Sequence, residues 1–318
     1  ASPAGSARPS SLGTRGPPRA TPYRPHAGVP RQGLECRMHT DAESLGPLLV
    51  AHLLGPLDDQ LVALLDALDD PQWEAPTIAG TWTVKDVAAH LLDSQVRKLA
   101  LCRDGRELPV AQHDPARDLV GFVNRLNADG VRFFRELPPA TLVPLIAASA
   151  RASARYHLAL DPMAPAAFAV SWAGESASAN WFDTARELTE RWHHQQQIRL
   201  AVGRPGAMSA EFHHPVLACF MRALPHWYRD IAAPVGSRLD VTVEGDGGGT
   251  WHLWREPGGW RLVTTPIGMR RAHATIPADI AWRVFTRGIA RADAMARSRV
   301  AGDQVVGAHV LQMTAIVG

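Results

Sequence analysis

Glu190 and His194 stand four residues apart in the segment FDTARELTERWHHQQQIRLAVGRP, which runs from Phe182 to Pro205. On a helix that spacing brings both side chains onto one face. A carboxylate and an imidazole one turn apart are two ligands that suit a divalent metal if a third arrives from elsewhere in the chain. Without a third, the same pair is a Glu/His contact on an amphipathic surface, stabilising by about a few tenths of a kcal/mol. His193 competes for the same role, because positions three apart on a helix are also neighbours. His90, between Ala89 and Leu91 in the segment TWTVKDVAAHLLD, reads alone as a histidine packed in a core. Taken with Glu190 and His194 it becomes a candidate third ligand.

These residues need helices to hold them. From Phe182 to Leu200 no Pro or Gly interrupts the chain, and Gly203 and Pro205 supply a stop. Around His90, Thr83 is a good N-cap with Asp86 three residues on, and Val84, Val87, Leu91 and Leu99 carry the helical period, predicting a helix from about Thr83 to Cys102. Leu57, Leu61, Leu64, Leu65 and Leu68 predict an amphipathic helix within Leu48 to Asp70, with His52 among its leucines as a core or boundary residue. A third helix is expected from about Pro115 to Leu137, with Pro138 and Pro139 stopping it. Leu142 to Asn180 reads as short helical pieces and loops, with Trp172 as a packing anchor or the lining of a pocket mouth. Gln195, Gln196 and Gln197 are either groups that orient ligands or solvated helix surface.

Beyond Pro205 the pattern changes. Pro215 to about Leu224 is a candidate helix, with His213 and His214 just before it as helix-start surface. Arg238 to Val263 alternates as strands do, with turns at Gly245–Gly249 and Pro257-Gly258-Gly259, giving a small antiparallel meander. The GDGGG run is followed by a strand where a phosphate loop would need a helix, so it reads as a turn. The tail from Ala274 reads as helices separated by Gly288 and by Gly302-Asp303.

Composition narrows the function classes. A chain of 318 residues, 46% hydrophobic, can bury one large core or two ordinary ones, and two domains are the expectation. A formal charge of +2 with dispersed arginines gives no footprint for nucleic acid. The chain contains no apolar run of about 18 residues, so no membrane-spanning helix is expected. Cys36, Cys102 and Cys219 are odd in number and far apart, which fits neither a disulfide framework nor a CxxC site and suits a reducing cytoplasm. The first 37 residues, rich in Pro, Arg, Ser, Ala and Gly, read as a disordered extension, with Met38 as the expected natural start.

The two segments TWTVKDVAAHLLD and TERWHHQQQIRLAVGRP together resemble the motifs of the metal-binding domain of mycothiol-dependent maleylpyruvate isomerases, within the DinB-like family of four-helix bundles. The resemblance covers Leu48 to about Gly206. It implies His90, Glu190 and His194 as metal ligands, its register favouring His194 over His193. Arg238 to Gly318 is similar to the smaller, sterol-carrier-like C-terminal domain of the same family, which would place one of its arginines at the site. The implied fold class is α plus α+β: an extension over 1–37, a DinB-like helical bundle over 38–206 and a small α+β domain over 207–318. The implied cofactors are Zn²⁺, left with one net positive charge and an open position, and mycothiol, whose thiol would lose its proton there. Reversible addition of that thiolate to a conjugated cis double bond would permit rotation and return the trans isomer. The expected partners are a small thiol and a small electrophilic substrate, with isomerisation and S-conjugation both open. Two other classes remain: a metal-dependent hydrolase, in which the open position activates water, and a non-enzymatic apolar-ligand carrier with a structural metal site.

Overall fold

Leu53, Leu54, Leu57, Leu61, Leu64 and Leu65 recur at helical intervals and are all buried, which makes Ala51–Asp66 one helix, α1, with Pro56 accommodated in its second turn. The computed structural model describes residues 43–106 and 119–316. The expectations for 1–37, Met38, Cys36 and Pro115 lie outside those residues. After a short turn, α2 (Asp70–Trp73), the chain enters α3 (Val84–Lys98), which a π-helical turn at Leu99–Arg103 continues. The start of α3 is fixed reciprocally: Asp86 N–H donates to the Thr83 hydroxyl at 3.3 Å, and Thr83 N–H donates to the Asp86 carboxylate at 3.0 Å. Helix α4 (Leu119–Phe134) lies against α3, and the approach is close at Gly130, where a Cβ would fall 2.2 Å from Asp93 Cγ. Next come α5 (Pro139–Ala159), a short 3₁₀ turn at Ser171–Ala173, and α6 (Asn180–Ala201). Helix α1 packs on α5 and α6, and α3 packs on α4, α5 and α6.

The continuous α5 corrects the expectation of short pieces after Leu142. Its small residues are largely alanines, the strongest helix formers, and Pro139 sits at its first position, where no N–H is needed. Trp172 is buried edge-on against Phe182 at 5.9 Å, as a packing anchor. His52, by contrast, is exposed.

The second half begins with α7 (Ala210–Met221) and α8 (Leu224–Trp227). Helix α7 starts five residues before Pro215, so His213 and His214 lie inside it and not ahead of it; His213 N–H donates to Ser209 O at 2.9 Å. Strands β1 (Ser237–Val243), β2 (Gly249–Glu256) and β3 (Gly259–Val263) form the antiparallel meander, and the GDGGG run turns between β1 and β2. A further strand, β4 (Met269–Ile276), pairs parallel with β1, and β5 (Arg299–Gly302) pairs antiparallel with β4, giving the order β3-β2-β1-β4-β5. Between them lie α9 (Ala278–Phe285) and α10 (Arg291–Arg297), and α11 (Gln304–Ala308) follows. The tail from Ala274, read as helices separated at Gly288 and at Gly302-Asp303, therefore opens on the end of β4 and contains a strand at Arg299–Gly302, which exists because β4 offers it an edge to pair with. The chain is thus a helical N-terminal region followed by a small mixed-sheet region. No described helix is long and apolar enough to cross a membrane.

One hydrophobic core includes Leu54 and Leu57 of α1, Leu188 and Trp192 of α6, Val216 and Phe220 of α7, Leu239 and Val241 of β1, and Trp282 of α9. Trp192 is its pivot. Fully buried, it donates from Nε1 to Ala207 O at 2.7 Å, stacks on His213 at 5.3 Å and meets Trp282 edge-on at 6.0 Å. Replacing Trp192 with Ala is expected to destabilise the protein by about 3–5 kcal/mol, read as a lower urea midpoint. Trp192→Phe, which keeps most of the area and loses the hydrogen bond, should cost less than half of that.

Candidate metal centre

Helix α6 holds Glu190 and His194 one turn apart, and α3 brings His90 across to them. One ligand atom from each of the three lies within 4.8 Å of the other two. His194 Nε2 is 3.8 Å from Glu190 Oε2, and the His90 and His194 rings meet edge-on with centroids 4.7 Å apart. The edge of a tetrahedron with bonds of about 2.1 Å is roughly 3.4 Å, so rotamer adjustments of under about 1.5 Å would bring the three into the first shell of one divalent ion. His90 and His194 are buried, each 7% exposed, and Glu190 is the partly open edge of the group.

The rings are already in the form a metal requires. Burial holds both His90 and His194 well below the ordinary histidine range; His194 depresses His90 further, and His193 depresses His194. Burial pushes the Glu190 carboxyl up to about 7, with Arg186 pulling the other way and Glu187 adding to the rise. His90 Nδ1 is buried and has no hydrogen-bond partner among the described residues. Two neutral imidazoles, one of them with an unpartnered ring nitrogen, and a carboxylate make a donor set that fits Zn²⁺ or a similar borderline cation.

His193, the competing ligand, turns elsewhere. Its Nδ1–H donates to Thr189 O at 2.9 Å, and it lies outside the three-residue group although its ring is 4.0 Å from that of His194. The three glutamines that follow are all buried, which removes the solvated-surface reading. Gln195, with its amide turned to satisfy both partners, accepts from Leu61 N–H and Arg199, tying α6 to α1. Gln196 donates to Gly206 O at 2.9 Å, and Gln197 Oε1 lies 2.8 Å from His194 Nδ1.

Two features of the surroundings went unread in the sequence. Trp82, immediately before the Thr83 cap, covers the site with its ring 5.1 Å from His90 and 6.4 Å from His194; its place beside the cap that starts α3 was the available signal. A buried ionic cluster lies one to two turns along α6. Lys98 Nζ reaches Asp183 at 2.5 Å and Glu187 at 3.8 Å, while Arg186 pairs with Asp183 at 2.9 Å and Glu187 at 3.1 Å. Burial alone would raise Glu187, but Arg186, Lys98 and Arg191 outweigh it and hold the carboxyl down to about 2. The Arg186 pairs are local to α6, but no sequence period announces the Lys98 pairs, because Lys98 comes from α3.

Residues 54–199, which include all three members of the group, match the family model of the mycothiol maleylpyruvate isomerase N-terminal domain. The match spans just under half of the chain and takes in the helices that carry the site. The chain is also similar to the crystal structure of the mycothiol-dependent maleylpyruvate isomerase, at 12% identity and a TM-score of 0.42, and to that of a histidine-to-alanine mutant of it, at 13% and 0.44. Each comparison covers 74% of this chain and 86% of the other. None of the curated proteins compared matches the chain.

The density of buried histidines has a consequence for stability. His90, His157, His193, His194 and His213 all titrate below their ordinary value because of burial, His157 and His193 at about 4. Each therefore contributes stability that is intact above about pH 6.5 and is lost as the pH falls toward its folded value. Glu190, at about 7, and Asp58, raised by burial to about 6, act in the opposite direction over part of that window. His226 is lowered like the five histidines and Asp93 is raised like the two carboxyls, so the histidines outnumber the carboxyls and leave a net uptake of protons on unfolding. The metal-free protein should lose stability between pH 6.5 and 4 with a slope steeper than the about 1.4 kcal/mol per pH unit of a single proton, measured by urea unfolding at a series of pH values.

Proposed function

We propose that the protein is a metal-dependent, thiol-cofactor enzyme of the mycothiol-dependent maleylpyruvate isomerase type, acting on small electrophilic metabolites with conjugated double bonds by isomerisation or S-conjugation. The observation that carries this is the convergence of His90 from α3 with Glu190 and His194 from α6, inside the residues that match the family model. In this reading α1, α3, α5 and α6 are the helices of a DinB-like bundle over residues 38–206, and residues 207–318 form the second domain. The cation is zinc, which suits two imidazoles and one carboxylate and leaves an open position.

A divalent cation held there would supply Lewis acidity, lowering the pKa of a bound thiol so that it reacts as thiolate near neutral pH. The chain's own residues prepare for this. His90 and His194 present neutral lone pairs because their burial disfavours protonation. Glu190 offers its carboxylate from the open edge, the side on which thiol and substrate would enter. Trp82 covers both imidazoles and excludes water from one side, which strengthens every charge interaction within. Isomerisation and conjugation differ only in whether the thiol adduct eliminates the thiol again or leaves with it.

Purified protein is expected to hold about one equivalent of zinc. His90→Ala, Glu190→Ala and His194→Ala should each lose it, and His193→Ala should keep it. Full occupancy in His194→Ala with none in His193→Ala would reverse the assignment. Adding mycothiol to the cobalt-substituted protein should give a sulfur-to-metal charge-transfer band, and cis-conjugated acids should turn over only in its presence. Cys102→Ser and Cys219→Ser should change neither signal, since neither cysteine belongs to the three-residue group. Hydrolysis of esters or amides without any thiol, alongside an unchanged spectrum, would overturn the proposal in favour of a hydrolase.

A further inference from the structure

A neutral imidazole carries its proton on one nitrogen and a lone pair on the other, and only the second can bind a cation. His194 has a competitor for its proton on each side. Were the proton on Nε2, it would point into the three-residue group, where Glu190 Oε2 lies 3.8 Å away, beyond hydrogen-bond distance. With the proton on Nδ1, it meets Gln197 Oε1 at 2.8 Å, a good hydrogen bond. The distances thus favour the Nδ1–H form, and its Nε2 lone pair faces Glu190 and, across the helix interface, His90.

We infer that Gln197 is the positioning residue of the site: it accepts the Nδ1 proton of His194, fixes that ring's tautomer and orientation, and so creates the lone pair directed at the three-residue group. The other two glutamines are excluded by their partners. Gln195 is engaged with Leu61 N–H and Arg199, and Gln196 with Gly206 O. His193, whose Nδ1–H is held by the Thr189 carbonyl, shows the same restraint on the adjacent ring with a backbone acceptor. His194 uses a side chain one turn further on, and buried Gln197 supplies the outer partner that histidine ligands characteristically have.

This inference rests on the metal reading for its consequence but not for its first observable. Long-range proton–nitrogen spectra of the metal-free protein, at about pH 7.5 where histidines are neutral, should show His194 in the Nδ1–H form. Gln197→Leu should shift it to Nε2–H or to a mixture. Gln197→Glu, which can only accept, should keep the Nδ1–H form. Zinc titration by competition with a chromophoric chelator should show affinity falling roughly 10- to 100-fold in Gln197→Leu and held at or above the starting level in Gln197→Glu. Gln196→Leu, which removes an equally buried glutamine bound to a loop carbonyl, should leave both tautomer and affinity unchanged. A folded Gln197→Leu protein with His194 still in the Nδ1–H form and unchanged zinc affinity would overturn the inference, as would an equal loss in Gln196→Leu. If the starting protein takes up no zinc, the metal reading fails, and the tautomer measurement alone decides the role of Gln197. Should Gln197→Leu not fold, the Gln197→Glu spectrum decides: an Nε2–H ring there overturns the inference.

Discussion

A helix as polar as α6 can be buried only if its charges find partners from neighbouring helices, because an unpaired buried charge costs several kcal/mol. Asp183, Glu187 and Arg191 are each almost fully buried, and each is paired: Asp183 with Lys98 and Arg186, Glu187 with the same two, Arg191 with Asp58 at 2.5 Å and with Ser153 Oγ at 2.6 Å. Removing one partner would strand the other. The pairing is therefore better read as a device that fixes how the helices align than as a source of net stability. Lys98 lies eight residues after His90, and Glu187 lies seven before His194. On antiparallel helices those offsets are about 12 and 10.5 Å, so a register that satisfies Lys98 also carries His90 to the level of Glu190 and His194.

The other flank of α6 is apolar and faces the rest of the molecule. Leu188 and Trp192 belong to the core shared with α7, the sheet and α9, while Ile198 joins the separate cluster under α1, α3 and α5. One helix thus carries the reactive side chains on one side and is clamped on the other by the largest buried side chain of the core. Such a clamp limits rotation of α6 about its axis, and rotation is the motion that would take Glu190 and His194 out of reach of His90.

Burial also sets the chemistry. The same desolvation that keeps the imidazoles neutral pushes the Glu190 carboxyl upward, and Arg186 offsets that rise only in part, so the site is a place where a further positive charge is wanted. Trp82 deepens the effect by replacing water over the two rings. A cation entering there gains more from the carboxylate than it would in a solvated groove, and the acid lability expected of the metal-free protein is the other face of that arrangement.

Much of the local structure was determined by the sequence alone, because local structure depends on neighbours in the chain. The Thr83/Asp86 cap placed the start of α3, the leucine period placed α1, the uninterrupted run to Gly203 placed α6, and the alternation from Arg238 to Val263 placed three strands with their turns. The four-residue spacing of Glu190 and His194 likewise guaranteed that they share a face. What only the tertiary structure decided depends on partners far along the chain. Helix α7 extends through Pro215 because packing outweighs a local interruption, and β4 and β5 are strands because each found an edge beside β1 or β4. His194, not its neighbour, faces His90 because Thr189 and Gln197 hold the two rings in different directions, and Lys98 is buried because Asp183 and Glu187 wait for it. Spacing along a chain states which side chains can share a face. Which of them meet across two helices is settled by the pairing of charges and the packing of cores, which no local pattern contains.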